Sequence, residues 1–319
     1  MKTPNEYDLL LKSRAHGAYL GLAIGDALGA TVEFMTAREI ASELGRHRDI
    51  RGGGWLGIKA GDVTDDTGMS LALGAAILEQ GTVEAGAAAD AFNCWLRGKP
   101  IDVGNTVRRG IVHYRTSGET EVPENYYDAG NGACMRSLPV ALVTYGKHKN
   151  EVKAASRSQA HVTHNNKVSD AGCECVIAMV QGALDGQNKT ELLMEPIQGL
   201  IAQHPAYAFR GQRCENPTGY IVETLQAVFQ ALFDSAGFEE CLVDVVNRGG
   251  DADTTGAIAG MIAGSLYGVQ AIPRRWLKAL NPAIREACIN QADALMALAR
   301  SNKCEHNVGR ISDSVIRRV

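Results

Sequence analysis

Proline is scarce, 9 in 319 residues, and no Ser/Gly-rich or Pro-rich linker interrupts the chain. Nothing therefore marks a boundary between domains, and one domain over 1–319 is expected, with the basic segment 310–319 as a loose tail. There is no Gly-x-y period, which together with the scarce proline excludes a collagen-like chain, and a hydrophobic content of 45% excludes a disordered one. An excess of one charge is missing as well: 32 Lys and Arg stand against 36 Asp and Glu, for a net charge of -4. Such a chain offers no global field for nucleic acid or anionic lipid, so no nucleic-acid partner is expected. Cys94, Cys134, Cys173, Cys175, Cys214, Cys241, Cys288 and Cys304 lack CxxC spacing, which predicts reduced thiols rather than disulfides or zinc ligands. The N-terminus carries early charges and no uninterrupted apolar run, so no signal peptide is read and a cytoplasmic location is expected. Thr254–Ile272 has no charge, but its glycines, its polar residues and the acidic loop before it argue against a membrane span.

Several catalytic signatures are absent too. There is no Walker A lysine motif, no HExxH and no GxSxG, which leaves P-loop, zincin and α/β-hydrolase chemistry unsupported. Gly52-Gly53-Gly54-Trp55-Leu56-Gly57 satisfies GxGxxG literally, yet no strand precedes it and an acidic segment follows, so it reads as a loop.

What is present is helical. Alanine-rich segments with helical spacing dominate and alternating strand patterns are hard to find, so the fold class expected is an all-α, compact helical bundle. Among the predicted helices are 6–30, 36–44, 65–80, 132–145, 190–203, 218–234, 254–268 and 283–300, with long loops at 45–63, 117–131 and 204–217. Thr36 with Glu39 forms a capping box, and Gly45 is a natural stop. The 35 glycines exceed the usual ~7% of residues. Two sets are regular: Gly17, Gly21, Gly25 and Gly29 step by four, as do Gly256, Gly260, Gly264 and Gly268. Glycine inside a helix costs about 1 kcal/mol against alanine, so the stripes predict two helices packed unusually close at the bundle centre.

Glu33 follows the first stripe, and Asp251 and Asp253 precede the second. Asp62-Val63-Thr64-Asp65-Asp66-Thr67 precedes one apolar helix, and Gly249-Gly250-Asp251-Ala252-Asp253-Thr254-Thr255 precedes another. One such cluster is explained by an N-cap at Thr64 and complementarity to the helix dipole. Two clusters, each with paired carboxylates and a hydroxyl, exceed what capping needs. No calcium-loop pattern follows Asp251, so an EF-hand is excluded. If the helix ends face each other, four carboxylates and two threonines suit two hard divalent cations, Mg²⁺ or Mn²⁺; spacing alone leaves a dinuclear site and plain capping both open. Asp26, inside an apolar helix, is read as structural, while Glu33 points either into a cleft or to solvent.

Gly25–Phe34 (GDALGATVEF), the TDDT cluster and GGDADTTGAIAG together resemble the ADP-ribosylglycohydrolase family. KPIDVGNTVRRGI, AGNGACMRSLPVAL and HVTHNN resemble the subgroup acting on dinitrogenase reductase in nitrogen-fixing bacteria. The resemblance covers most of the chain. It implies a compact all-α fold with a dinuclear metal cleft, two Mn²⁺ or Mg²⁺ ions, and removal of ADP-ribose from an arginine of ADP-ribosylated dinitrogenase reductase, the nitrogenase iron protein. Another acceptor or linkage, or a non-catalytic ADP-ribose-binding module, are the alternatives. By motif, Thr64, Asp65, Asp66, Asp251, Asp253 and Thr254 take metal-ligand roles and Glu33 matches a mobile acidic residue near the metals. Gly130-Asn131-Gly132 corresponds to a substrate loop, His164 to a ligand-contacting histidine supported by His161, and Asp102 and Asn105 to polar residues on the ribose side; Tyr220 lies near the substrate. Asp102 and Glu33 are the catalytic candidates, the first moving a proton and the second positioning water. A PII-type signalling protein is the implied regulatory partner, with reversible membrane association through it.

Overall fold

The computed structural model describes residues 3–316 of the chain. It is all helix, and among the described residues the extended contacts are three isolated bridges: Thr36↔Gly249, Gly53↔Ile58 and Gly130↔Tyr220. At the centre lie the opening helix, Pro4–Gly29, and the helix Ala252–Tyr267, which make more contact with each other than any other pair. They run antiparallel, and their glycine stripes face one another. A Cβ placed on Gly25 would lie 1.9 Å from the Gly256 carbonyl oxygen, and one on Gly21 would lie 2.1 Å from that of Gly260. Backbone therefore packs on backbone, which the stripes require. In this register the end of one helix, before Glu33, meets the start of the other, before Asp253.

The helices Asp65–Gln80, Lys167–Asp185, Ile221–Asp234, Phe238–Val246 and Pro282–Ile316 surround this pair, burying side chains such as Leu73, Val176, Leu225, Leu242 and Leu295. Among the described residues no helix is long and apolar enough to cross a membrane. The segment 310–319 lies partly on the last helix, and 317–319 fall outside the described residues. Seven of the cysteines, Cys94 to Cys288, are free thiols; the Cys304 side chain is outside the described residues.

Local signals behave as their chemistry dictates. Thr36 and Glu39 form the reciprocal capping box, and Gly45 is left-handed after the helix Ala37–Glu43. Two expected helices are broken. The 132–145 segment divides into Gly132–Met135 and Leu138–Val143, where Pro139 starts the second piece. The 190–203 segment becomes Lys189–Leu192, a π turn over Leu193–Ile197 that contains Pro196, and Gln198–Gln203.

Candidate functional site

The two acidic helix ends meet. Thr254 Oγ1 donates to Asp66 Oδ2 at 3.4 Å, and Thr64 Oγ1 lies 3.0 Å from the same oxygen. The helix Asp65–Gln80 begins at Thr64, but the Thr64 side chain does not cap it. That task falls to Asp26, fully buried on the opening helix. Its carboxylate accepts from the Thr64 and Thr67 amides at 2.9 and 3.1 Å and from both hydroxyls at 3.0 and 2.5 Å. Asp26 is thus a cross-helix cap, which frees Asp66 to face the second cluster.

On the other side the approach to Asp251 is pinned. Gly249 and Gly250 have φ of 72° and 66°, and a Cβ on either would lie 2.3 Å from the Met35 oxygen or 2.2 Å from the Pro217 oxygen. Only glycine fits such a left-handed, crowded turn. The Gly250 amide donates to Met35 O and the Asp251 amide to Pro217 O, both at 2.8 Å, and Asn131 Nδ2 donates to Asp251 Oδ2 at 2.6 Å. Glu33, Asp251 and Asp253 consequently converge, with one oxygen of each inside a 4.8 Å group. Asp65 looks the other way, accepting from the Gly104 amide at 3.3 Å and standing beside Asp102.

This is an electrostatically unsatisfied arrangement. Glu33, Asp66 and Asp253 are buried, and among the described residues none of the site carboxylates pairs with a lysine or arginine. Burial, and then mutual repulsion, pushes their protonation upward: Glu33 to about 8, Asp65 to about 7, and Asp66 and Asp253 well above the carboxylate range. Asp66 Oδ1 is buried without a hydrogen-bond partner. A hard-oxygen donor set with an orphaned carboxylate oxygen fits divalent cations of the Mg²⁺ or Mn²⁺ kind. Glu33 stands inside the three-carboxylate group, whereas Asp65 stands apart from it and toward Asp102.

Asp102 is half-buried beside Asp65, and Asn105 is exposed at the first turn of the helix Asn105–Ser117. Gly130 pairs with Tyr220, and Tyr220 is 41% exposed, which removes it from the core. A Cβ on Gly130 or Gly132 would lie within 2.9 or 2.8 Å of the His164 ring, so those glycines make the notch that admits the imidazole. Asn131 is a carboxylate-orienting residue, bonded to Asp251 and, at 3.0 Å, to Thr224 Oγ1. His161 is turned away from the cleft, held between Glu121 and Asp170 at 2.9 and 3.0 Å, and supports the surface rather than the acidic cluster.

His164 is tuned by residues that the sequence does not announce. Arg136, fully buried, donates to Thr163 Oγ1 at 2.8 Å and to Gln159, and its guanidinium lies 4.2 Å from the Phe92 ring centroid. Thr163 Oγ1 contacts His164 Nδ1 at 2.7 Å. Since Arg136 can only donate, all three groups are satisfied when the threonine hydroxyl donates to Nδ1 and His164 carries its proton on Nε2. Burial, then Arg136 and Arg109, lowers its pKa to about 3, so the ring stays neutral.

The loop at Gly52–Gly57 also contributes. Trp55 Nε1 donates to Glu33 Oε2 at 2.7 Å, and its ring packs against Phe34 with centroids 5.2 Å apart. The tryptophan within a glycine-rich loop was the available signal; its contact with Glu33 depends on the tertiary fold.

Comparison with known proteins gives a consistent result. The ADP-ribosylglycohydrolase family model matches residues 8–305. The chain is 47% identical over 286 residues to an ADP-ribosyl-[dinitrogen reductase] glycohydrolase of Rhodospirillum rubrum, covering 90% of this chain and 96% of that protein. It is 33% identical over 284 residues to ADP-ribosylarginine hydrolase Tri1 of Pseudomonas putida (strain GB-1), covering 83% and 73%. A solved structure described as an ADP-ribosylglycohydrolase-related protein complex superposes with a TM-score of 0.81 at 34% identity, covering 91% of this chain and 99% of that one.

Proposed function

The chain belongs to the ADP-ribosylglycohydrolase family, and from that premise we propose that it hydrolyses the N-glycosidic bond between ADP-ribose and an arginine of dinitrogenase reductase. The observation that carries this reading is the meeting of two acidic helix ends in one cleft, in a chain 47% identical to a glycohydrolase of that name. Water adds to the ribose C1 as the bond to the guanidino nitrogen breaks; the nitrogen takes up a proton, and free ADP-ribose and arginine result.

The chain's residues divide this work. Asp251, Asp253, Asp66 and Glu33, with Asp65, Thr64 and Thr254 at the margins, would hold two Mn²⁺ or Mg²⁺ ions. Such ions would supply Lewis-acid polarisation at the ribose end of the substrate. Asn131 holds one Asp251 oxygen in place, which leaves the other for the cleft. Asp102, half-buried beside Asp65, reaches both cleft and solvent, the placement a proton carrier needs. Glu33, anchored by Trp55, orients water at the ribose. His164 presents an uncharged Nε2–H donor at the notch of Gly130 and Gly132, suited to a substrate oxygen. Exposed Tyr220 and Asn105 flank this side.

A panel of defined conjugates tests the linkage. ADP-ribosyl-arginine is expected to be cleaved in preference to serine-linked or acetylated ADP-ribose; preference for an oxygen linkage would overturn the assignment. In the same reading the protein works in the cytoplasm, and a PII-type partner regulates it. Co-sedimentation of the purified protein with such a partner is the measurement for the latter.

A further inference from the structure

Glu33 and Phe34 are neighbours that point opposite ways. Glu33 is 4% exposed, at the carboxylate group, while Phe34 is 63% exposed. The reversal comes from the backbone, because Phe34 has φ of 63°, a left-handed conformation that a bulky L-residue seldom adopts. It is bolted there: the Phe34 amide donates to Gly250 O at 2.7 Å and the Gly250 amide returns to Met35 O at 2.8 Å. Strain at a non-glycine residue persists only when its surroundings over-determine it, and here they are the approach to Asp251. Trp55, 56% exposed, packs on Phe34 and bonds to Glu33. Two large aromatic faces are thus held open to solvent at the rim of a buried acidic cluster, although apolar burial would favour covering them.

We propose that Phe34 and Trp55 form the acceptor subsite, a platform on which the guanidinium of the modified arginine stacks while its ribose lies at the carboxylates. This rests on the function proposed above. The connectivity of the substrate selects the occupant. Ribose C1 carries the acceptor directly, whereas adenine is a diphosphate and a second ribose away. A surface touching Glu33 therefore meets the acceptor. A guanidinium is planar, weakly hydrated and cationic; it stacks on aromatic faces and gains from an adjacent carboxylate, and Trp55 and Glu33 offer both through one hydrogen bond.

The test compares Phe34→Asn, Trp55→Leu and Trp55→Phe with wild type. Asparagine tolerates the left-handed backbone, so Phe34→Asn removes the ring without new strain. Trp55→Phe keeps an aromatic face but loses the bond to Glu33. Steady-state kinetics on ADP-ribosyl-arginine and calorimetric binding of free ADP-ribose are measured for each. Phe34→Asn and Trp55→Leu are expected to lower kcat/KM roughly 3- to 30-fold through KM, the span of a cation–π contact, with ADP-ribose affinity within about 2-fold of wild type. Trp55→Phe is expected to keep a KM nearer wild type than Trp55→Leu. Loss of ADP-ribose affinity in Phe34→Asn would assign the platform to the adenosine end instead. Equal defects in Trp55→Phe and Trp55→Leu, confined to kcat, would reduce Trp55 to a support for Glu33. Wild-type protein that fails to cleave ADP-ribosyl-arginine would overturn the proposed function; wild-type cleavage unchanged in these variants would overturn the platform alone.

Discussion

Thr254 Oγ1 lies 3.4 Å from Asp66 Oδ2, a hydrogen bond that joins acidic segments 188 positions apart. The contact exists because Asp26 of the opening helix caps the helix that carries Asp66, while that same opening helix packs backbone to backbone on the helix that carries Thr254. The glycine stripes and the acidic site are therefore one construction, and disturbing either should disturb the other.

Gly25→Ala places a methyl 1.9 Å from the Gly256 oxygen, with backbone as the obstructing partner. The helix-propensity gain of about 1 kcal/mol is outweighed, and a net loss of about 3 kcal/mol or more is expected in denaturant unfolding. Gly86→Ala is the control: it lies in the helix Ala85–Arg97, and a Cβ there meets nothing within 4 Å. It should be neutral or stabilise by up to about 1 kcal/mol. Similar behaviour of the two variants would deny the close packing its role.

Cations and the fold should be linked. Without them the buried carboxylates repel, so added Mn²⁺ or Mg²⁺ is expected to raise Tm with a concentration dependence, and EDTA to reverse it. Asp66→Asn removes a buried ionisable carboxyl whose Oδ1 lacks a partner and whose ionisation burial opposes. Its apo protein should melt above wild-type apo protein, while its gain on adding Mn²⁺ should be smaller. A full gain in Asp66→Asn would remove Asp66 from the site.

His161 supplies a pH signature. The bonds to Asp170, and less so Glu121, raise its pKa in the folded state against the opposing effect of burial. Its contribution to stability is then complete below the unfolded histidine value of about 6.5 and is lost as pH rises through the folded value. His161→Gln should lower Tm clearly at pH 6 and little at pH 9; the reverse order would contradict the ion-paired assignment.

His164 should not titrate between pH 5 and 8 and should show the Nε2-protonated pattern in long-range ¹H–¹⁵N spectra. Thr163→Val removes the donor to Nδ1. A mixture of tautomers is expected in that variant, with weaker binding of ADP-ribose. An unchanged nitrogen spectrum would show that Thr163 does not set the tautomer.

The helical class, the glycine stripes and the capping box at Thr36 were legible because each is a local pattern of known period. The broken helices show the limit of periodicity: apolar spacing ran through Pro139 and Pro196, and the ring geometry prevailed. The two acidic clusters were legible as mirrored motifs, but the inclusion of Glu33 with Asp251 and Asp253, and the turn of Asp65 toward Asp102, follow from packing. Asp26 as a cross-helix cap, the Arg136–Thr163–His164 relay and Trp55 over Glu33 each join residues far apart in sequence or of unremarkable type. No spacing rule encodes such contacts.

The most direct measurement is intact-mass analysis of ADP-ribosylated dinitrogenase reductase incubated with the purified protein, with Mn²⁺ and with EDTA, alongside Asp253→Asn. Loss of the ADP-ribose mass with wild type and Mn²⁺, and its retention with EDTA or with Asp253→Asn of unchanged helical circular dichroism, is expected. Retention of the modification by metal-loaded wild type, or its removal by Asp253→Asn at the wild-type rate, would contradict the assignment of this cleft as an arginine-directed ADP-ribosyl hydrolase.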